Sequence, residues 1–198
     1  MESSPASLNL PLVLASASPR RREILTLLGL PFETAPAGSE PAIDPRLPLD
    51  QAVCAVARGK AAEVASRFPG RTVLGADTVV SVDGLVLGKP RDPEDARRML
   101  RLLQGRSHTV YTGVWLFGPG FPPKGKGFAD SARVAFFPLT PREIDEYVAT
   151  GEPMDKAGAY GIQGAGLRNI RGIEGDFYTV MGLPGGRLWR FLQGLPEE

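Results

Sequence analysis

Leu12-Val13-Leu14-Ala15-Ser16-Ala17-Ser18-Pro19-Arg20-Arg21-Arg22 joins an apolar run to a helix start through a turn of small residues. That junction restricts the chain to folds in which a buried strand feeds straight into a helix. Ser18 reads as the N-cap and Pro19 as the first helical residue. Arg20, Arg21 and Arg22 then fall on the positive end of the helix, where an exposed cation costs roughly 0.3–1 kcal/mol. An anion there would be held jointly by free N–H groups, serine hydroxyls and guanidinium forks. A phosphate-bearing ligand resolves the conflict. The competing reading is a solvated surface turn, because Ile24, Leu25 and Leu28 already give this helix an apolar face.

Other helix starts in the same chain follow the ordinary rules. Asp92-Pro93-Glu94-Asp95 supplies a cap, a proline and acids, and Thr140-Pro141-Arg142-Glu143 fits a capping box. With 198 residues, 42% of them hydrophobic, the chain is expected to form a single domain over 1–198 behind a flexible N-terminus at residues 1–10. The net charge of +1 argues against a coat for nucleic acid, so no nucleic-acid partner is expected. One cysteine, Cys54, and one histidine, His108, leave no intramolecular disulfide and no Cys/His zinc site. Cys54 lies in an alanine- and valine-rich pattern and reads as packing. No apolar run has membrane length and no secretion signal is evident, so the expected location is cytoplasmic, away from membranes.

The pattern is mixed α/β. Helices are expected at Leu49–Phe68, about Pro93–Gln104, about Pro141–Thr150 and near Arg187–Leu195, with Trp189 and Leu192 in the core. Strands are expected at Val13–Ser16, Thr72–Ala76, Val79–Val82, Leu85–Leu87, Thr109–Phe117 and Ser131–Phe137. Asp83-Gly84 reads as a hairpin turn and Gly118–Gly127 as an exposed connection.

Several polar residues need a reason. Strand Thr72–Ala76 runs into Asp77-Thr78, presenting a carboxylate where a buried strand is expected to end, as ligand sites of open α/β sheets require. Bracing a turn is the competing role for a lone aspartate. Lys89 lies between Gly88 and Pro90 and is a phosphate candidate; so is Lys60, at the edge of its helix's apolar face, which could equally be a snorkelling surface lysine. Asp155-Lys156-Ala157-Gly158-Ala159-Tyr160-Gly161-Ile162-Gln163-Gly164-Ala165-Gly166 predicts a tight loop with close backbone approach. It matches neither a Walker A nor a dinucleotide fingerprint. Asp155–Lys156 could be no more than a surface ion pair.

Ordered along the chain, Ala15–Arg21, Lys60-Ala61, Gly75–Val79, Leu87–Pro90, Gly105–Gly113, Asp155–Gly164 and Glu174–Pro184 resemble the Maf family of nucleoside triphosphate pyrophosphatases. The resemblance implies an α/β fold, a mixed sheet with flanking helices in two lobes around a cleft, similar to inosine triphosphate pyrophosphatases. It implies hydrolysis of a nucleoside triphosphate between the α and β phosphates, with a divalent metal, magnesium or manganese, and it allows a homodimer. By position it makes Asp77 the general base, and Ser16, Ser18, Arg20, Lys60, Lys89 and Lys156 contacts to the substrate. Glu40 joins Asp77 as a metal ligand; the family often has an adjacent acidic pair there, whereas Glu40 stands alone in Ser39-Glu40-Pro41.

Gly161-Ile162-Gln163-Gly164 resembles the branch of the family acting on dTTP and UTP. A glutamine amide offers a donor and an acceptor, which complement the N3–H and carbonyl edge shared by uracil and thymine. Arg20 and Thr78 are the other specificity positions that the resemblance implies. A pyrophosphatase for a modified purine triphosphate such as 7-methyl-GTP is one alternative, and a nucleotide-binding regulator of septum formation without catalysis is the other.

Overall fold

A computed structural model describes residues 11–196; the segment expected to be flexible, 1–10, lies outside them. The chain divides into two compact units, one made of the residues up to Asp77, Thr112–Asp130 and Gly182 onward, the other of Thr78–Tyr111 and Ser131–Met181.

In the first unit, β1 (Leu12–Leu14) lies parallel to both β2 (Phe32–Thr34) and β3 (Val73–Val82), with Leu14 opposite Thr34 and Leu74. Helix α1 (Pro19–Leu27) connects β1 to β2 and α2 (Leu49–Ala65) connects β2 to β3, giving the local order β2-β1-β3. Leu12, Val13 and Leu14 are fully buried, each contributing roughly 1.5–3 kcal/mol by leaving water. Helix α2 packs close to the sheet because two glycines leave room. A Cβ on Gly75 of β3 would overlap the Ala57 carbonyl oxygen, and one on Gly113 of β5 (Ser107–Phe117) would lie 2.6 Å from Cys54 N. The buried face of α2 runs through Ala52, Val53, Val56, Ala57, Lys60, Ala61 and Val64. Lys60 is therefore inside the apolar stripe, and the snorkelling reading is overturned. Helix α6 (Gly185–Gln193) buries Leu188 and Leu192, but Trp189 is 36% exposed, against expectation. It follows Leu188 by one position, which turns it about 100° away from the buried stripe.

In the second unit, the later part of β3 pairs antiparallel with β4 (Leu85–Leu87), Val80 facing Leu87 and Val82 facing Leu85. Asp83 and Gly84 close this hairpin at φ 49° and 78°, the left-handed pair that a two-residue turn demands. Helix α3 (Pro93–Leu103) is capped by Asp92 and α4 (Pro141–Ala149) by a complete Thr140/Glu143 capping box. They cover a core that includes Leu100, Leu103, Phe136, Ile144, Tyr147 and Tyr160. Strand β6 (Lys126–Phe136) pairs antiparallel with β7 (Ile170–Glu174), and the short helix α5 (Phe177–Met181) follows. The full strand order is β2-β1-β3-β5-β6-β7, with β4 on β3, a mixed sheet as expected. Strands β3, β5 and β6 each run covalently from one unit into the other.

One boundary differs in a way that matters. The expected break between Thr72–Ala76 and Val79–Val82 does not exist: β3 is continuous through Asp77. What ends beside Asp77 is the neighbour, since the parallel pairing of β1 stops at Leu14↔Leu74.

Candidate active site

The first unit gathers a cation–carboxylate cluster just past the end of β1. Ala15 N–H donates to Leu74 O at 2.8 Å as the parallel ladder finishes, and Ser16 follows, buried. Since α1 leads to one neighbour of β1 and β3 lies on the other side, this is a topological switch point, where open α/β sheets collect ligands. Ser18 has extended N-cap geometry and Pro19 is at the first turn, which contains no acid. The Ser18 side chain makes no cap, contrary to its expected role; instead its N–H donates to Ser16 Oγ at 3.2 Å. Arg21, singled out only as one of three helix-start arginines, folds back into the cluster. Its Nη1 donates to Ser16 Oγ at 3.0 Å and its Nε to Gly182 O at 2.8 Å. Burial lowers the pKa of this guanidinium from its ordinary value; Asp77 opposes that shift, Arg20 adds to it and Glu40 opposes it. Arg21 therefore shares one electrostatic neighbourhood with three of the residues named from sequence.

Lys60 Nζ sits 2.8 Å from Asp77 Oδ1 and 2.9 Å from Glu40 Oε1. The Lys60 and Asp77 side chains are 10% and 11% exposed, whereas that of Glu40 is 65% exposed. A buried pair of this kind matters mostly when it is broken, because the survivor is left charged without a partner. Helix α2 also fixes the segment leading to Glu40. Glu63 accepts N–H bonds from Gly38 at 2.6 Å and Ser39 at 3.1 Å, while Arg67 Nη2 donates to Pro36 O at 3.0 Å. Lys60 and Glu63 stand at i and i+3 on α2, and Arg67 lies in the turn just past its end.

The donor set suits a divalent cation. Two carboxylates reach one cationic atom, Lys60 Nζ, and hard oxygen donors of this type are what magnesium and manganese take. Among the described residues no group of three or more His, Cys, Asp or Glu could hold a metal alone. An ion bound by Glu40 and Asp77 would fill its remaining positions with water and substrate oxygens, the usual condition for magnesium.

The other sequence candidates belong to the second unit. Thr78 is half-buried in β3; Lys89, after β4, is exposed, and so is Gln163. The neighbouring Gly88 O accepts Gly158 N–H at 3.0 Å. Lys156 Nζ meets Asp155 Oδ1 at 2.6 Å and Glu152 O at 2.7 Å. The ion pair of the alternative reading is present, with a lysine side chain only 14% exposed. His108 is buried, with Nε2 2.8 Å from the Tyr160 hydroxyl and its ring edge-on to Phe136. Burial lowers its pKa to about 4, so it is a neutral packing group at pH 7. Cys54 is half-buried and burial raises its thiol pKa, in keeping with packing.

The first unit is thus an α/β arrangement with a lysine clamped by two carboxylates at a strand-order switch. The chain belongs to the Maf family: the model for Maf-like protein matches residues 11–195. It is 54% identical over 173 residues to the dTTP/UTP pyrophosphatase of Moorella thermoacetica, covering 87% of this chain and 89% of that one. It is also 46% identical over 181 residues to the dTTP/UTP pyrophosphatase of Bacillus cytotoxicus, covering 91% and 93% respectively. Among solved structures it is similar to the Staphylococcus aureus Ham1 protein, with a TM-score of 0.41 and 14% identity over 63% of this chain and 71% of that one. No helix among the described residues is long and apolar enough to cross a membrane.

Proposed function

We propose that this chain is a dTTP/UTP pyrophosphatase, cleaving the α–β bridge to give a nucleoside monophosphate and pyrophosphate. The observation that carries the reading is the Lys60 ammonium held between Glu40 and Asp77, in a chain that is 54% and 46% identical to two dTTP/UTP pyrophosphatases. The cytoplasm, which holds nucleoside triphosphates, is a compartment that suits this reading.

Asp77 acts as general base. It takes a proton from a water whose oxygen bonds to phosphorus at the bridge as the bridging P–O bond breaks, and pyrophosphate or monophosphate leaves on the freed oxygen. Arg20, Arg21, Lys60 and the N–H groups opening α1 neutralise phosphate charge, and Ser16 and Ser18 orient it. Lys89 adds a further cation to the substrate. A magnesium or manganese ion held by Glu40 and Asp77 would polarise phosphate oxygens and stabilise the charge that develops on the leaving group. Gln163 reads the base edge, with Arg20 and Thr78 as the other selecting residues.

Pyrophosphate release from UTP, dTTP, CTP, GTP and 7-methyl-GTP, with magnesium or manganese and with the monophosphate identified, tests the reading. Selective conversion of UTP and dTTP is expected. Better turnover of 7-methyl-GTP would reassign the base, and binding without turnover across the panel would leave a regulator.

A further inference from the structure

The glycine pattern of the 161–166 loop is explained by a carboxylate that comes from outside it. Glu152 opens the 3-10 turn Glu152–Asp155 after α4, and its side chain lies over the loop. Oε2 accepts Ala165 N–H at 2.7 Å, while Oε1 accepts Gly166 N–H at 3.1 Å and the Tyr147 hydroxyl at 2.8 Å. The Tyr147 oxygen in turn accepts Gly161 N–H at 3.0 Å. A Cβ on Gly164 would overlap Glu152 Oε2, and one on Gly166 would lie 2.5 Å from the Tyr147 hydroxyl. Gly164 and Gly166 thus admit the Glu152 and Tyr147 side chains, which grip the backbone on both sides of Gln163, while Gly161 leaves room for the Lys156 side chain. Burial works against the charged form of Glu152, but Ala165 N–H, the Tyr147 hydroxyl and Gly166 N–H hold its carboxyl below the usual range. It is therefore an acceptor on both oxygens at neutral pH.

We propose that Glu152, acting with Tyr147, is a positioning residue for base selection, fixing the turn that presents Gln163. The inference rests on the reading of Gln163 as the group that selects the base. An amide discriminates by where its donor and acceptor sit, and a displacement of about 1 Å can cost about a hundredfold. Glu152 makes no direct contact with the base in this account; it keeps the turn from relaxing.

Glu152→Gln preserves shape while placing an amide NH2 against a backbone N–H donor, whichever way it turns. The expected result is a fall of about tenfold in kcat/KM for UTP and dTTP, carried by KM, with kcat and CTP turnover changed less than about twofold. In a Gln163→Ala background the same substitution should remove no further selectivity. Tyr147→Phe keeps the ring in the core and should give a smaller loss in the same direction, and it decides the matter if Glu152→Gln fails to fold. Equal losses on every base, a loss in kcat alone, or additivity with Gln163→Ala would overturn the proposal. If Gln163→Ala alone leaves the preference for uracil and thymine intact, the base-reading role falls and this inference with it. If Gln163→Ala abolishes the preference while Glu152→Gln and Tyr147→Phe keep it, only the positioning role falls.

Discussion

Asp77 and Lys60 hold each other at 2.8 Å with little solvent between them, so each can be tested by removing only its charge. Asp77→Asn keeps the shape and abolishes the base; pyrophosphate release should fall by about 10²–10⁴ in kcat, with UTP affinity by calorimetry changed only severalfold. Turnover at the wild-type rate would end the assignment of the base. Lys60→Met leaves Asp77 buried without its ammonium and should cost about 3 kcal/mol in urea unfolding, the low end for a broken buried pair. The low end applies because Glu40 is largely exposed and Arg21 lies within Coulombic reach of Asp77. Millimolar magnesium should recover more stability in that variant than in the wild type, because a cation re-enters between the carboxylates; no difference would remove Glu40 and Asp77 as metal ligands. The arginines were legible because cations at a helix start break a local rule; Lys60 was read only at the edge of an apolar face and Asp77 only where a strand was expected to end, and the family resemblance gave both their roles. Glu152 breaks no such rule. A glutamate beside a proline after a helix looks like ordinary surface, and its backbone partners lie thirteen and fourteen residues on.

At the scale of elements, the position of Lys60 depends on how closely α2 approaches the sheet, and Gly75 sets that distance. Its missing Cβ would overlap the Ala57 carbonyl and lie 2.9 Å from Ala61 N, both backbone atoms that cannot swing aside. Gly75→Ala should therefore destabilise the protein by about 1–3 kcal/mol and lower kcat, because the ammonium of Lys60 moves with the helix. Gly172→Ala is the control, with nothing within 4 Å of its Cβ, and should be near neutral. Equal midpoints for the two variants would show that α2 yields freely. The long elements were readable because their periods are clean: α2, α3 and α4 appear where apolar spacing and caps put them, although α2 stops at Ala65 and not Phe68. Strands β2 and β7 were missed. The three residues of β2 are largely solvated, as are most of the five in β7, so neither carries the alternation that marks a half-buried strand. The gap read at Asp77-Thr78 came from treating two polar residues as a boundary, although a strand can carry a buried charge when a partner such as Lys60 meets it.

For the molecule as a whole, acid should act through the second unit and be visible in the first. His108 lies in the core of the second unit with its Nδ1 buried and without a hydrogen-bond partner among the described residues, and its pKa is lowered to about 4. The unfolded chain takes up this proton below about pH 6.5 and the folded chain only near pH 4, so between these values the unfolded state binds more protons. Stability from this group is complete above about pH 6.5 and is lost as pH falls toward 4, by at most about 3 kcal/mol. His108→Asn should be less stable at pH 7 but should lose less on going to pH 5, and the comparison of slopes removes the acid response of other groups. Both tryptophans, Trp115 and Trp189, belong to the first unit, and β3, β5 and β6 carry the chain from one unit into the other. Unfolding the second unit strips three strands of their hydrogen-bonded continuation, which should make the transition a single cooperative one. Tryptophan fluorescence and far-UV circular dichroism should then give the same urea midpoint at each pH, shifting together in the wild type and less in His108→Asn. A dichroism midpoint that moves with acid while the fluorescence midpoint stays fixed would mean that the units fold independently despite the strands they share.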